Sequence, residues 1–410
     1  METEWLIVGT RSGRKNLVRS ATPSCALGEC AKVAEMDVDT IAVLGPSLRH
    51  AAKQIAAEPE PGTCLTLFVP WQPPPLGALR CDRDDVQSFC CSASLLRGTL
   101  AHVADARGDI ASLARCVVEG IAQGRAVARS LRVSQVDRPP DPGEGFATEA
   151  RDFTLVMAHR GQPTHLASAL AHAPRGEVLV GLDVDFEGLA AYESICARFP
   201  KVRFFQVSPN PAGPYVVRSH LISQAESSII MFHDSDDLSC SDRADKLLPA
   251  LSDYRTGIVG SHEIRLDELS RRLIAVRYPL DVNQALVTGL GLTQLHPSTV
   301  LRRQTLDRIG GFSTNYIFGA DTQMLFRAFF YTTIRNVDEF LYIRRRHLQA
   351  LTVRPDTGKN TPARLRVEAP WLSDFPRILS GARKLEESSL RPVHTSTQHR
   401  FERVFHVPRQ

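Results

Sequence analysis

The 410-residue chain lacks several features that would fix its class at once. No run of eighteen or more uncharged apolar residues occurs, which excludes an ordinary transmembrane helix. There is no Cys-x-x-Cys pair. The nine cysteines are odd in number and crowded, seven between Cys25 and Cys116 and only Cys196 and Cys240 beyond. That distribution fits neither a disulfide framework nor a zinc site, so buried free thiols are expected. Charge of one sign is also scarce. A formal net charge of +4 is too slight to argue for nucleic acid, and no basic face with interleaved aromatics accompanies it. In METEWLIVGTRSGRK, Glu2 and Glu4 precede a very short apolar run, the wrong order for a secretory signal. A cytoplasmic location is expected, with peripheral contact to the inner face of a membrane left open.

What is present is an ordinary globular composition, 43% hydrophobic, with length for two to three domains. VDRPPDPGEGFATEARD, residues 136–152, is rich in Pro, Gly and acid and reads as a linker. After it the pattern becomes regular. FTLVMA (153–158), EVLVGLDV (177–184), KVRFFQV (201–207) and SSIIMFHD (227–234) read as strands. They alternate with helical stretches of ten to twelve residues, which predicts a mostly parallel sheet with crossover helices. Ligands of such sheets bind outside the carboxyl ends of the strands. AHRG, LDVDFE and HDSDD all fall at those ends, so three polar clusters converge on one edge. Residues 353–410 hold eleven Lys/Arg against six Asp/Glu and read as a basic, partly helical extension with a solvated face.

SASLLRGTL (92–100) matches STVLRRQTL (298–306) at five of nine positions. This is either a trace of a degenerate partial repeat in residues 1–135 or chance similarity between two amphipathic helices. MDVD (36–39) precedes an apolar run instead of ending one, so it reads as a turn.

In FHDSDD, Asp234, Asp236 and Asp237 follow an apolar run and put three carboxylates into four positions. An EF-hand loop would need Gly and Glu at its sixth and twelfth positions. Counting from Asp234, those hold Ser239 and Asp245, so that reading fails. A helix N-cap cluster ahead of SDRADKLLPAL remains open. So does a divalent-metal site. Asp-x-Asp after a strand points two carboxylates the same way, and Mg²⁺ or Mn²⁺ often takes one or two carboxylates plus substrate phosphates. Nucleotidyl transfer uses the same chemistry, but AHRGQPTH is a poor phosphate loop.

Three blocks in order carry a family likeness: FHDSDD, then HPSTVLRRQTLDRIGGFSTNYIFGADTQMLFRAF, then YIRRRHLQALT. With them, residues 152–352 resemble a family 2 glycosyltransferase. The resemblance implies an α/β fold of GT-A type, with a mostly parallel, Rossmann-like sheet and flanking helices, preceded by an N-terminal accessory α/β region. It further implies a metal-dependent, inverting transfer of a sugar from a nucleoside-diphosphate sugar, UDP-sugar being the first to test, to a saccharide or other hydroxyl acceptor. Surface-polysaccharide assembly in a bacterium is the setting it suggests. Asp234 and Asp236 would bind Mn²⁺ or Mg²⁺ and touch the donor, and His347 would be a further metal or diphosphate contact. Asp321 would be the general base that takes the acceptor proton. Arg345 and Arg346 would pair with the diphosphate. Asp183, His159 and Arg160 would face the nucleotide base, and Arg218 matches an Arg on the helix before the Asp-x-Asp strand. Each has a plainer alternative: Asp321 as an N-cap, His347 as a packed histidine, the arginines as a solvated strand end. The chain departs from the family pattern in AHRG and in LDVDF, which lacks a small flexible pair. Those departures motivate the alternative of a glycosyltransferase-like protein that binds a sugar-nucleotide or glycan without turnover.

Overall fold

The structure, a computed structural model, describes residues 5–10, 17–21, 23–36, 40–45, 48, 64–73, 75, 83–103, 110–126, 128, 130–138, 152–289 and 291–404. Residues 37–39 of the expected turn at 36–39, and 139–151 of the expected linker at 136–152, lie outside the described residues.

The N-terminal region supplies strands β1 (Trp5–Thr10), β2 (Leu17–Ala21), β3 (Thr40–Leu44), β4 (Cys64–Pro70), β5 (Arg83–Asp85), β6 (Ser88–Ser92) and β7 (Ser130–Val136), with helices α1 (Pro23–Glu35), α2 (Ala93–Val103) and α3 (Leu113–Ala122). Six of the strands form a sheet in the order β2-β1-β3-β6-β4-β7, antiparallel except for β4 beside β7. Strand β3 is buried on both faces, at Ile41, Ala42, Val43 and Leu44. Leu65, Leu67 and Val69 alternate along β4 with no exposed surface, and Leu113, Val117, Val118 and Ile121 make the buried face of α3.

The second sheet is built from β8 (Thr154–His159), β9 (Glu177–Leu182), β10 (Arg203–Ser208), β11 (Ile229–Phe232), β12 (Leu238–Ser239), β13 (Thr256–Asp267), β14 (Arg272–Val276), β15 (Val300–Arg302), β16 (Thr333–Arg346) and β17 (Arg400–Val404). Helices α4 (Pro163–Ala171), α5 (Pro214–Gln224), α6 (Arg243–Leu247), α7 (Ala320–Phe329) and α8 (Pro362–Leu379) flank it. All four expected strands form, and they pair in parallel in the order β10-β9-β8-β11. Their near-continuous burial is what a sheet covered on both faces requires. A Cβ at Gly181 would collide with Val217, so the missing side chain lets α5 lie directly on β9. The sheet continues on both sides of this centre, on one side through antiparallel β15 and then β13 and β16, which run parallel to each other, and on the other through antiparallel β17.

Three expectations change. STVLRRQTL is not one helix: Val300–Arg302 pair with β11 and β13, and the helix begins only at Arg303. Its match SASLLRGTL runs from the last residue of β6 into α2, so Leu95 is helical where Leu301 is in a strand. The C-terminal segment is no appendage. Trp371, Phe375 and Leu390 are buried in the core of the second sheet, and β17 pairs along β10. Nor do the two sheets stand apart. Leu238, Ile264, Leu266, Leu273, Ala275, Phe340 and Ile343 belong to the same buried cluster as the N-terminal core, and β5 adds to the second sheet beside β14.

Candidate active site

The parallel strand order reverses at β8: β9 and β10 lie to one side of it and β11 to the other. In such sheets a crevice opens outside the carboxyl ends at this switch point. Here it is a cavity of about 840 Å³ lined by residues after β8, β9 and β11, by the N-terminal turns of α5 and α7, and by the segment following β16. The three polar clusters singled out in the sequence therefore do meet.

At its centre Asp234, Asp236 and Asp237 offer carboxylate oxygens that lie within 4.8 Å of one another. Each is held differently. Arg218 Nη2 donates to Asp234 Oδ1 at 2.5 Å, and the Asp234 backbone N–H donates to Tyr342 Oη at 3.0 Å. His347 Nε2 bonds Asp236 Oδ2 at 2.7 Å. Asp237 is buried and accepts the Arg345 backbone N–H at 2.7 Å. Burial, then repulsion from Asp236 and Asp234, pushes the Asp237 carboxyl well above its usual range. Burial is the largest influence on Asp236 and works against its charge, but the His347 hydrogen bond and charge, a backbone hydrogen bond and His165 together hold the carboxyl low. Hard oxygen donors at this spacing fit Mg²⁺ or Mn²⁺. Asp234 and Asp236, both partly open to the cavity, are the residues that would hold it, and His347 reaches the group through Asp236.

Across the same cavity stands Asp321 in the first turn of α7. It is not the N-cap, because Gly319 occupies that position with φ 78°. Tyr215 Oη donates to Asp321 Oδ1 at 2.8 Å. Burial opposes ionisation, yet His296, the Tyr215 hydrogen bond and Arg218 together hold this carboxyl below its ordinary value. The group is thus an ionised carboxylate in a recessed place. Burial also works against the Arg218 charge, but Asp234, then Tyr215 and Asp321, raise its pKa on balance. His296 is buried beside Phe232 and Phe312, its Nε2 has no hydrogen-bond partner, and burial lowers its pKa to about 3.

The other residues expected from sequence divide. His159 is buried at the carboxyl end of β8, with Nε2 at 2.9 Å from Tyr192 Oη and Nδ1 at 2.8 Å from Ser235 Oγ. Tyr192 donates to Gly161 O, so it accepts from His159 Nε2–H, and Nδ1 accepts from Ser235. Both ring nitrogens are spent on the protein, and burial holds the ring neutral with a pKa of about 4. His159 therefore fixes Ser235 inside the acid cluster and has no ring nitrogen left to offer a base. Asp183 lines the cavity and accepts the backbone N–H groups of Ala212 and Gly213, at 2.8 and 3.0 Å, and so pins the start of α5. Arg160 is exposed and lines the cavity. Arg345 also lines it, but its Nε donates to Glu268. Arg346 does not belong to the lining; it pairs with Asp267. Arg344, not expected as a site residue, does line the cavity. Its Nη2 donates to Thr352 at 3.0 Å, and although burial opposes its charge, Glu263, Tyr278, Asp237 and Asp234 raise its pKa.

Sequence reasoning did not single out His165, His296, Tyr215, Tyr342 or Arg243. His165 lies on α4 facing His347, ring centroids 5.8 Å apart, and burial lowers its pKa to about 4. Arg243 is fully buried; it donates to Ser239 Oγ, Phe232 O and Pro297 O and lies 4.9 Å from the Tyr342 ring, tying the acid loop to the segment that carries His296. The available signals were that His296 opens the second block quoted above and Tyr342 the third.

No family model and no curated protein matches the chain. Among solved structures it is similar to S. aureus TarS 1–349, at a TM-score of 0.37 and 15% identity over 57% of this chain and 74% of that one. The same protein in complex with UDP-GlcNAc gives a TM-score of 0.40 at 14% identity, covering 57% and 75%; in complex with UDP it gives 0.40 at 16%, covering 57% and 74%.

Proposed function

We propose that the chain is a glycosyltransferase that moves a sugar from a nucleoside-diphosphate sugar to a hydroxyl acceptor with inversion. One observation carries this: an ionised, recessed carboxylate, Asp321, faces a cluster of three carboxylates across a single cavity at the switch point of a parallel sheet. Asp234 and Asp236 would hold Mg²⁺ or Mn²⁺, which when bound supplies positive charge to a leaving diphosphate. Arg218 and Arg344 add fixed positive charge beside the same carboxylates. Asp321 accepts the proton of the acceptor hydroxyl as its oxygen attacks the anomeric carbon. The Tyr215 hydrogen bond keeps that carboxylate oriented. UDP-sugars are the donors to test first.

The experiment is turnover of a UDP-sugar panel by wild type and Asp321→Asn. Loss of transfer in the variant by about 10²–10⁴-fold, with UDP binding retained, supports the assignment. Donor binding without transfer or hydrolysis in the wild type would instead favour a sugar-nucleotide-binding protein.

A further inference from the structure

Large apolar side chains left in water are uncommon on this surface and are unevenly placed. Of twelve such side chains among the described residues, three (Ile317, Leu348 and Leu351) stand around the one cavity. Leu348 is 71% exposed and Ile317 is 51% exposed. Their positions in the chain are telling. Leu348 directly follows His347, which holds Asp236, and Ile317 lies four residues before Asp321. Apolar side chains thus adjoin both halves of the reacting centre. Three more of the twelve, Leu365, Leu372 and Leu379, lie on α8, whose first turn contributes Arg364 to the cavity. The helix is fixed to the lip by Trp371 against Tyr316, ring centroids 5.3 Å apart, and by Arg364 over Phe318 at 4.5 Å. Spaced seven residues apart, these leucines lead away from the cavity over about 21 Å. The exposed charges on this helix, Arg366 and Arg377, are both positive, since Glu368 is paired with Arg364 and Asp374 with Arg383.

The ribose and diphosphate of a nucleotide donor are polar, so they do not account for apolar side chains next to the residues that would hold the metal and take the proton. Exposed apolar surface beside a polar cavity marks the place where an apolar part of a ligand is covered. We infer that the acceptor carries an apolar group, alkyl, prenyl or aryl, close to its accepting hydroxyl, and that Ile317 and Leu348 seat it. This rests on the proposed function for the word acceptor, but the apolar subsite itself does not depend on it.

The test titrates protein saturated with UDP and Mn²⁺ with octyl β-glucoside, kept below its micelle threshold, and with methyl β-glucoside. The octyl compound is expected to bind at least about tenfold more tightly, and Ile317→Ser/Leu348→Ser to bring the two within about twofold. Equal affinities in the wild type, or a preference untouched by the double variant, would overturn the inference; so would a variant that only speeds donor hydrolysis, because the leucine would then be a water shield. UDP binding, measured separately, keeps the two readings apart. An alkyl preference without UDP binding leaves the subsite standing and the transferase reading fallen, and UDP binding without an alkyl preference does the reverse. Two further ligands separate the sources. With 4-nitrophenyl β-glucoside, a compact aryl acceptor makes Leu372→Ser/Leu379→Ser silent. With farnesyl phosphate, a lipid-borne acceptor makes that variant weaken binding.

Discussion

Two α/β sheets share one molecule, and only one of them gathers chemistry. In the N-terminal sheet almost every neighbour is antiparallel, so successive strands deliver their carboxyl ends to opposite edges. In the second, four parallel strands in the order β10-β9-β8-β11 bring the residues after β8, β9 and β11 to one edge. The difference lies in connectivity, not in composition, since both cores are rich in Val, Ile and Leu. It also shows why the first sheet is retained. Its core continues into the second through Leu266, Leu273 and Phe340, and the interface is stitched by polar contacts such as Trp71 Nε1 to Asp338 at 3.2 Å and Arg138 to Glu339 at 2.7 Å.

The comparison can be broken most severely by removing one side of it. A chain starting at residue 139 would expose the apolar residues of β13, β14 and β16 that complete the N-terminal core. It is expected to lose its cooperative thermal transition altogether; a sharp transition in calorimetry would show the sheets to be independent. Next in size is the catalytic asymmetry. Asp236→Ala should abolish metal-dependent donor turnover, whereas Cys91→Ala, in the N-terminal core, should leave the turnover per folded molecule unchanged. The interface comes third. Tyr278 N–H donates to His262 Nδ1, so His262 Nε2–H donates to Asp338. Burial works against the Asp338 charge, but the His262 and Trp71 hydrogen bonds outweigh it and its pKa is lowered. A carboxylate held low in the fold stabilises it fully above the unfolded pKa of about 3.9 and ceases to do so as pH falls through the folded value. Asp338→Asn should therefore cost about 1.5–3 kcal/mol at pH 7 in denaturant melts, with the gap to wild type closing in strong acid. The smallest effect belongs to Arg272, whose pair with Asp85 ties β5, contributed by the N-terminal region, to β14 in open water. Arg272→Ala should shift stability by no more than about 1 kcal/mol, less at high salt.

Much of this was legible before the fold was known. The four parallel strands announced themselves by apolar runs bounded by turn residues, and Asp234, Asp236 and Asp321 do meet in one cavity. What failed did so for physical reasons. Residues 298–306 carry a helix-like spacing, but β11 and β13 present open edges that draw Val300–Arg302 into the sheet. The C-terminal segment has too polar a composition to look like core, and contributes through a few large anchors such as Trp371 and Phe375. Among three consecutive arginines, sequence could not tell which finds a private acid; Arg346 has Asp267 and Arg345 has Glu268, which leaves Arg344 to the cavity. His159 and Asp183 stand at the strand ends expected of them, yet both ring nitrogens of His159 are spent on Ser235 and Tyr192, and Asp183 also holds the start of α5. Nothing in the spacing of a sequence reveals whether a polar group is already satisfied.

The most direct measurement is calorimetric titration of UDP into wild type and Asp236→Ala, with and without Mn²⁺. The account predicts binding that needs the metal and disappears in the variant. Binding that ignores both the metal and the substitution would contradict it, and so would no binding of UDP, GDP, dTDP or CMP under any of these conditions.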